Sequence, residues 1–112
     1  MENRLDRTFE ALADPTRLAV VKLLRKKPRR SSEIADALSL NRPAASRHLD
    51  MLRTAGIVDV ALVEDDARGR VYRLRRERFD ELRDFLDDVE SYWTDQLASF
   101  KRHVEAKHRR RR

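Results

Sequence analysis

The sequence predicts a mainly α fold carrying one small β-hairpin, and three patterns in it say so. Apolar residues recur at helical spacing through the first half of the chain. The period drops to two between Val58 and Leu74, and from Glu77 the helical period returns and persists for roughly 30 residues. At 112 residues the chain has room for one domain with one core.

Leu5, Phe9 and Leu12, spaced four and three apart, mark a first helix over about residues 3–13. Asp14-Pro15 then reads as an N-cap followed by proline at the first helical position, where its missing N–H costs nothing. The second helix presents Leu18, Val20, Val21, Leu23 and Leu24 as a broad apolar face near the centre of the core. It runs to Lys26-Lys27, ahead of Pro28 and a loop holding Arg29 and Arg30. Ser31 or Ser32 caps a short third helix with Ile34, Ala35 and Leu38 on one face. Ser39-Leu40-Asn41 leads into a fourth, capped by Asn41, with Pro43 tolerated in its first turn and Gly56 as its stop.

Ala45, His48, Leu49 and Leu52 form the inward stripe of that fourth helix, leaving Arg42, Pro43, Ser46, Arg47 and Asp50 on the outside. Two short helices on a tight turn, the second with an outward polar face, make a helix-turn-helix. Val58, Val60 and Leu62, then Val71, Tyr72 and Leu74, form two strands around the loop at 64–69, so the motif is the winged version. In the final helix Phe79, Leu82, Leu86, Val89, Trp93, Leu97, Phe100 and Val104 keep a sustained seam, which needs a partner surface. The winged helix-turn-helix domain, with dimerisation helices over about 3–13 and 77–106, is assigned to residues 1–106 and a basic tail to 107–112. Leu5, Phe9, Leu86, Val89, Trp93, Leu97 and Phe100 are the expected interface.

Charge is segregated. Residues 17–76 carry 15 basic and 7 acidic side chains, residues 77–100 carry 2 and 8, and residues 101–112 carry 7 and 1, a basic body followed by an acidic helix and a basic end. That distribution suits a nucleic-acid-facing body attached to a segment with another job, and with the winged helix-turn-helix the expected partner is double-stranded DNA. Arg42, Ser46 and Arg47 are expected to read base edges in the major groove, with Asn41 and Pro43 at the same end of the helix and Asp50 orienting a neighbouring arginine. Arg68 and Arg70 in the hairpin are expected to grip phosphates or enter the minor groove. Ser31 and Ser32 are explained equally by capping and by a phosphate held on backbone N–H groups. His48 is expected to pack inward with a hydrogen bond rather than act as a ligand. Lys107–Arg112 is read either as a disordered end or as extra phosphate contacts.

Several classes are excluded. Without cysteine there are no disulfides, thiol nucleophiles or thiolate metal sites. Two glycines make no phosphate-binding loop, and no histidine and carboxylate set has nucleophile-activating spacing, so no catalytic residue, cofactor or metal is assigned. The charged first residues and the lack of a long apolar run give no expectation of a secretory signal or membrane anchor, and the expected location is cytoplasmic. Besides a specific regulator, two alternatives remain open: an architectural protein coating DNA without sequence choice, and a dimeric interaction protein that does not bind DNA.

Three strings, FEALADPTRLAVVKLL (Phe9–Leu24), SSEIADALSLNRPAASRHLDMLRTAGIV (Ser31–Val58) and RGRVYRL (Arg68–Leu74), occur in an order that resembles the ArsR family of bacterial winged-helix repressors. The resemblance covers residues 3–104. It implies a homodimer that binds an inverted repeat in a promoter operator and leaves it when a metal ion or other signal binds. Many members have glycine where this chain has Ser39, which implies a strain of order 1 kcal/mol if Ser39 is left-handed. The family's cysteine pair is missing from the helix matching Ser31–Leu38. Of its other site, in the paired long helices, only Glu90 and His103 match, with Tyr92 and Ala106 at the companion positions. An inducer of unknown identity, such as a small organic molecule in the dimer seam, a partner protein, or expression level alone are the regulatory routes left open.

Overall fold

A computed structural model describes residues 3–62 and 70–110, in two compact units divided after Asp80. In chain order the elements are α1 (Arg4–Leu12), α2 (Pro15–Leu24), β1 (Arg29–Arg30), α3 (Ser31–Ala37), α4 (Arg42–Thr54), β2 (Val58–Leu62), β3 (Arg70–Leu74) and α5 (Arg76–Arg110).

The starts of the helices follow local chemistry. Asn3 caps α1 by accepting from the Leu5 N–H at 2.8 Å, Asp14 caps α2 by accepting from the Arg17 N–H at 3.0 Å, and Asn41 caps α4 by accepting from the Ala44 N–H at 2.8 Å. The face of α1 that enters the core is Thr8 and Ala11, leaving Leu5 half-buried and Phe9 exposed. Thr8 is almost fully buried because its hydroxyl donates to the Arg4 carbonyl at 3.0 Å, so burial leaves no orphaned donor. Helix α2 ends at Leu24, short of the expected Lys26-Lys27.

The loop expected at Arg29–Arg30 is instead an edge strand. Arg29 pairs with Tyr72 and Arg30 with Val71, giving a three-stranded antiparallel sheet in the order β1-β3-β2. This pairing also corrects the start of α3. It holds Arg30 extended up to the helix, so Arg30, not Ser31 or Ser32, is the N-cap, and the Glu33 carboxylate accepts from its N–H at 3.1 Å.

Helices α3 and α4 end in the same way. After α3 the Ser39 N–H donates to the Asp36 carbonyl and Leu40 to Ala35. After α4 Gly56 donates to Arg53 and Ile57 to Leu52. Both are Schellman closures around a left-handed residue, Ser39 at φ 54° and Gly56 at φ 78°. Ile57 and Leu52, which the second closure brings together, are both fully buried.

The core of the first unit gathers Ala11, Val20, Val21, Leu24, Ile34, Leu49, Leu52, Ile57, Val58 and Tyr72, with Leu12, Leu23, Leu38, Ala55, Val60, Leu74 and Phe79 packed against it. The register Val58↔Leu74 and Val60↔Tyr72 places these four on the core face of the hairpin. Helix α5 is 35 residues long and has no buried residue; it runs through Lys107–Arg110, beyond the expected 106. Four basic side chains in its last turn face the negative end of the helix dipole, which favours this continuation.

The two left-handed positions respond oppositely to substitution. A Cβ at Gly56 lies 2.9 Å from Arg78 Nε, which itself donates to the Ala55 carbonyl, so Gly56→Ala is expected to cost about 1–2 kcal/mol in urea unfolding. Ser39→Gly relieves the same strain at the cost of a freer unfolded chain and is expected to stabilise by about 0.5 kcal/mol.

Candidate nucleic-acid interface

One open groove on the first unit is lined by Arg30, Ser31, Ser32, Arg42, Ser46, Arg70 and Tyr72. It therefore draws on β1, the start of α3, the first turns of α4 and strand β3. Three of its lining residues are arginines, three carry aliphatic hydroxyls, and none is a carboxylate. The edge strand aligns Arg30 beside β3, the tight turn sets the start of α4 across from the start of α3, and the hairpin register brings in Arg70.

The structure thus brings together five of the residues singled out in the sequence: Ser31, Ser32, Arg42, Ser46 and Arg70. Arg47 is exposed on α4 but does not line the groove, and Pro43 is exposed beside Arg42. Asn41 is exposed too, but its carboxamide oxygen is committed to the cap. Arg68, with the acidic loop residues, lies outside the described residues. Arg30 and Tyr72 were missed. A two-residue strand has no periodicity to read, and Tyr72 looks like plain core because it is buried while still bordering the groove.

Several arginines serve the fold, and the groove arginines do not. Arg73 donates to the Asp59 carboxylate at 2.7 Å across the hairpin, and this bond, with the charge of Asp59, raises its pKa. Arg75 lies 3.5 Å from Glu77 and Arg76 lies 3.6 Å from Asp80. Arg17 is occupied with the end of α1, donating to the Ala11 carbonyl at 2.7 Å and the Glu10 carbonyl at 3.5 Å, and it also reaches Met51 Sδ at 3.3 Å on α4. Among the described residues, Arg30, Arg42, Arg47 and Arg70 have no ion-pair partner, so their charge remains available to a ligand.

Helix α4 is held from behind by the start of α2. Asp14 Oδ2 takes the Arg17 N–H and lies 3.7 Å from His48 Nδ1. His48 is half-buried as expected, but its Nδ1 makes no hydrogen bond among the described residues, which corrects the expectation of a bonded packing histidine; the contact with Asp14 is electrostatic. Asp50 pairs with no arginine there either. It faces a separate cavity between α1, α2 and α4, bordered by Arg7, Glu10, Arg17 and Met51, because it sits one turn beyond the groove-facing residues. The Asp14 carboxyl is held below the usual carboxylate range, chiefly by the Arg17 N–H, against partial desolvation and with help from the charges of Arg17 and His48.

In the second unit, Leu86, Val89, Trp93, Leu97 and Phe100 are all exposed along α5, and Trp93 retains 61% of its surface. No helix of the described residues is long and apolar enough to cross a membrane, and no three histidine or carboxylate side chains among them gather as a metal ion would require.

Comparison with known proteins points one way. The model of the family described as bacterial regulatory protein, arsR family, matches residues 14–60. The chain is 39% identical over 97 residues to the HTH-type transcriptional regulator Rv2034 of Mycobacterium tuberculosis, covering 85% of this chain and 83% of that one. An ArsR-like transcriptional regulator from Rhodococcus sp. RHA1 superposes with a TM-score of 0.73 at 27% identity, over 88% of this chain and 91% of that one. A domain from Mycobacterium bovis described as a homodimeric winged helix-turn-helix DNA-binding domain gives 0.62 at 27% identity, over 79% of each chain.

A depressed carboxyl stabilises the fold above its unfolded pKa, and that contribution disappears as pH falls through the folded value. Asp14→Asn keeps a capping acceptor and removes the charge. Its unfolding midpoint is expected to fall less steeply than that of the unsubstituted chain between about pH 5 and pH 2 in a denaturation series.

Proposed function

The chain belongs to the arsR family of bacterial regulatory proteins, and on that premise we propose that it acts in the cytoplasm as a homodimeric repressor of transcription that binds an inverted-repeat operator. The observation that carries the reading is the carboxylate-free groove shared by Arg30, Ser31, Ser32, Arg42, Ser46 and Arg70. Its chemistry is that of a phosphate cradle: arginine gives charge-assisted, bidentate hydrogen bonds, and hydroxyls supply further donors. With phosphates held there, α4 lies along the major groove and presents Arg42, Ser46 and Arg47 to base edges. An arginine fork matches the O6 and N7 acceptors of guanine. The protein acts by occupying DNA, with binding rather than bond-making as its chemistry.

Two copies paired through α1 and α5 would place two recognition helices about one DNA turn, roughly 34 Å, apart. The partner for the exposed seam is then a second copy, with Leu5, Phe9, Leu86, Val89, Trp93, Leu97 and Phe100 in the contact. Trp93→Ala is expected to shift the protein to monomer in sedimentation while the first unit stays folded. An intact dimer would remove Trp93 from the interface.

The functional test is a titration of the purified protein against its own upstream DNA and a scrambled duplex across a salt series. A specific regulator binds the native duplex at least about 10³-fold more tightly. Equal binding that fades together as salt rises would favour the architectural alternative. Within the specific complex, Arg47→Ala is expected to cost about 1–3 kcal/mol and to relax the preference for the native duplex. Arg70→Ala should instead weaken both duplexes and lower the salt slope by about 0.9.

A further inference from the structure

We propose that the Tyr72 hydroxyl is itself a phosphate ligand of the groove: it donates a hydrogen bond to one DNA backbone phosphate and so fixes where the duplex rests on the domain. The inference rests on the repressor reading and adds to its groove a neutral donor, set into the sheet, beside the charged arginines.

Tyr72 is the lining residue that the fold holds most firmly. It is the middle residue of β3, the central strand, and it pairs with Arg29 of β1 on one side and Val60 of β2 on the other. Its side chain belongs to the core cluster, and 9% of the residue is exposed. Arg30, Ser32, Arg42, Ser46 and Arg70, by contrast, are exposed. Side chains alternate along a strand, so Arg70 and Tyr72 leave β3 on the same face, and both line the groove.

This buried side chain carries one polar atom, and that atom has no partner. Tyr72 Oη makes no hydrogen bond among the described residues. Nor is it sealed away, because the side-chain polar atoms there that are both closed to solvent and unpartnered are Arg29 Nε and His48 Nδ1. The hydroxyl therefore opens into the groove that Tyr72 lines. A buried tyrosine ordinarily satisfies its hydroxyl. The core uses the ring alone, which leaves the hydroxyl for whatever enters the groove.

The surroundings select the acceptor. Arg30, Arg42 and Arg70 have no ion-pair partner among the described residues and no carboxylate lines the groove, so the field there favours an oxyanion. A phosphodiester oxygen offers charge to the arginines and a lone pair to the phenol. The ring is already packed, so contact costs it little side-chain freedom, whereas each exposed arginine must be ordered. The phenol donates without charge, so its bond releases no counterion.

Tyr72→Phe keeps the ring and removes the donor. No internal bond is lost, so its urea unfolding midpoint is expected to match that of the unsubstituted chain. Affinity for the native duplex is expected to fall about 10-fold, and for the scrambled duplex by the same factor, because phosphate contacts carry no sequence information. The salt slope is expected to stay unchanged, in contrast to the drop of about 0.9 for Arg70→Ala. Methylphosphonates placed one at a time along the native duplex then locate the contact. At one backbone position the losses from Tyr72→Phe and from the methylphosphonate should be non-additive, and at the others additive. Undiminished affinity, a lowered salt slope, a lowered unfolding midpoint, or additivity at every position overturns the Tyr72 contact while leaving a DNA-binding protein. An unsubstituted chain that binds neither duplex overturns the repressor reading, and the Tyr72 contact with it.

Discussion

The placement of α4 depends on two residues held in left-handed backbone, Ser39 before it and Gly56 after it. Each closes a helix by returning two N–H groups to carbonyls of the last turn, and each reverses the chain within three residues. Without the first, the start of α4 would not lie across from the start of α3, and the groove would lose Arg42 and Ser46. Without the second, Ile57 could not reach Leu52, and β2 would not enter the core. Glycine takes this conformation freely, whereas serine does so under strain that the packing of α3 on α4 must offset.

Much of this architecture was legible because it is written in short-range chemistry. The caps at Asp14 and Asn41, the stop at Gly56 and the stripe of Ala45, Leu49 and Leu52 each need only a few neighbouring residues to recognise. What escaped depends on partners distant in sequence. Arg29–Arg30 is a strand only because Val71 and Tyr72 lie beside it, and the start of α3 and the role of Arg30 in the groove follow from that pairing. Thr8 is a core residue despite its hydroxyl because the Arg4 carbonyl accepts its proton. Of the groove, the residues on α3 and α4 could be read from a helical pattern; its closure by Arg30 and Tyr72 could not.

The same sorting explains how a chain with so many cations still presents a defined binding face. Carboxylates and helix ends occupy Arg17, Arg73, Arg75 and Arg76, and these serve the fold. Arg30, Arg42 and Arg70, which have no ion-pair partner among the described residues, meet where β1, β3 and the starts of α3 and α4 converge. Net charge alone would give diffuse attraction to any polyanion; three arginines without ion-pair partners in one carboxylate-free groove give it a defined place on the first unit.

The edge strand carries a further consequence, for how the domain folds. Its pairs join residues 29 and 30 to residues 72 and 71, so two short pairings close a loop of about 40 residues that contains all of α3, α4 and β2. The helix-turn-helix is thus enclosed by the sheet rather than followed by it. Closing a loop of that length is entropically slow, and its contacts reward the chain only once both ends have met. Hairpin and α4 should therefore form and melt as one cooperative unit, so that softening β3 loosens the helix proposed to read DNA as well.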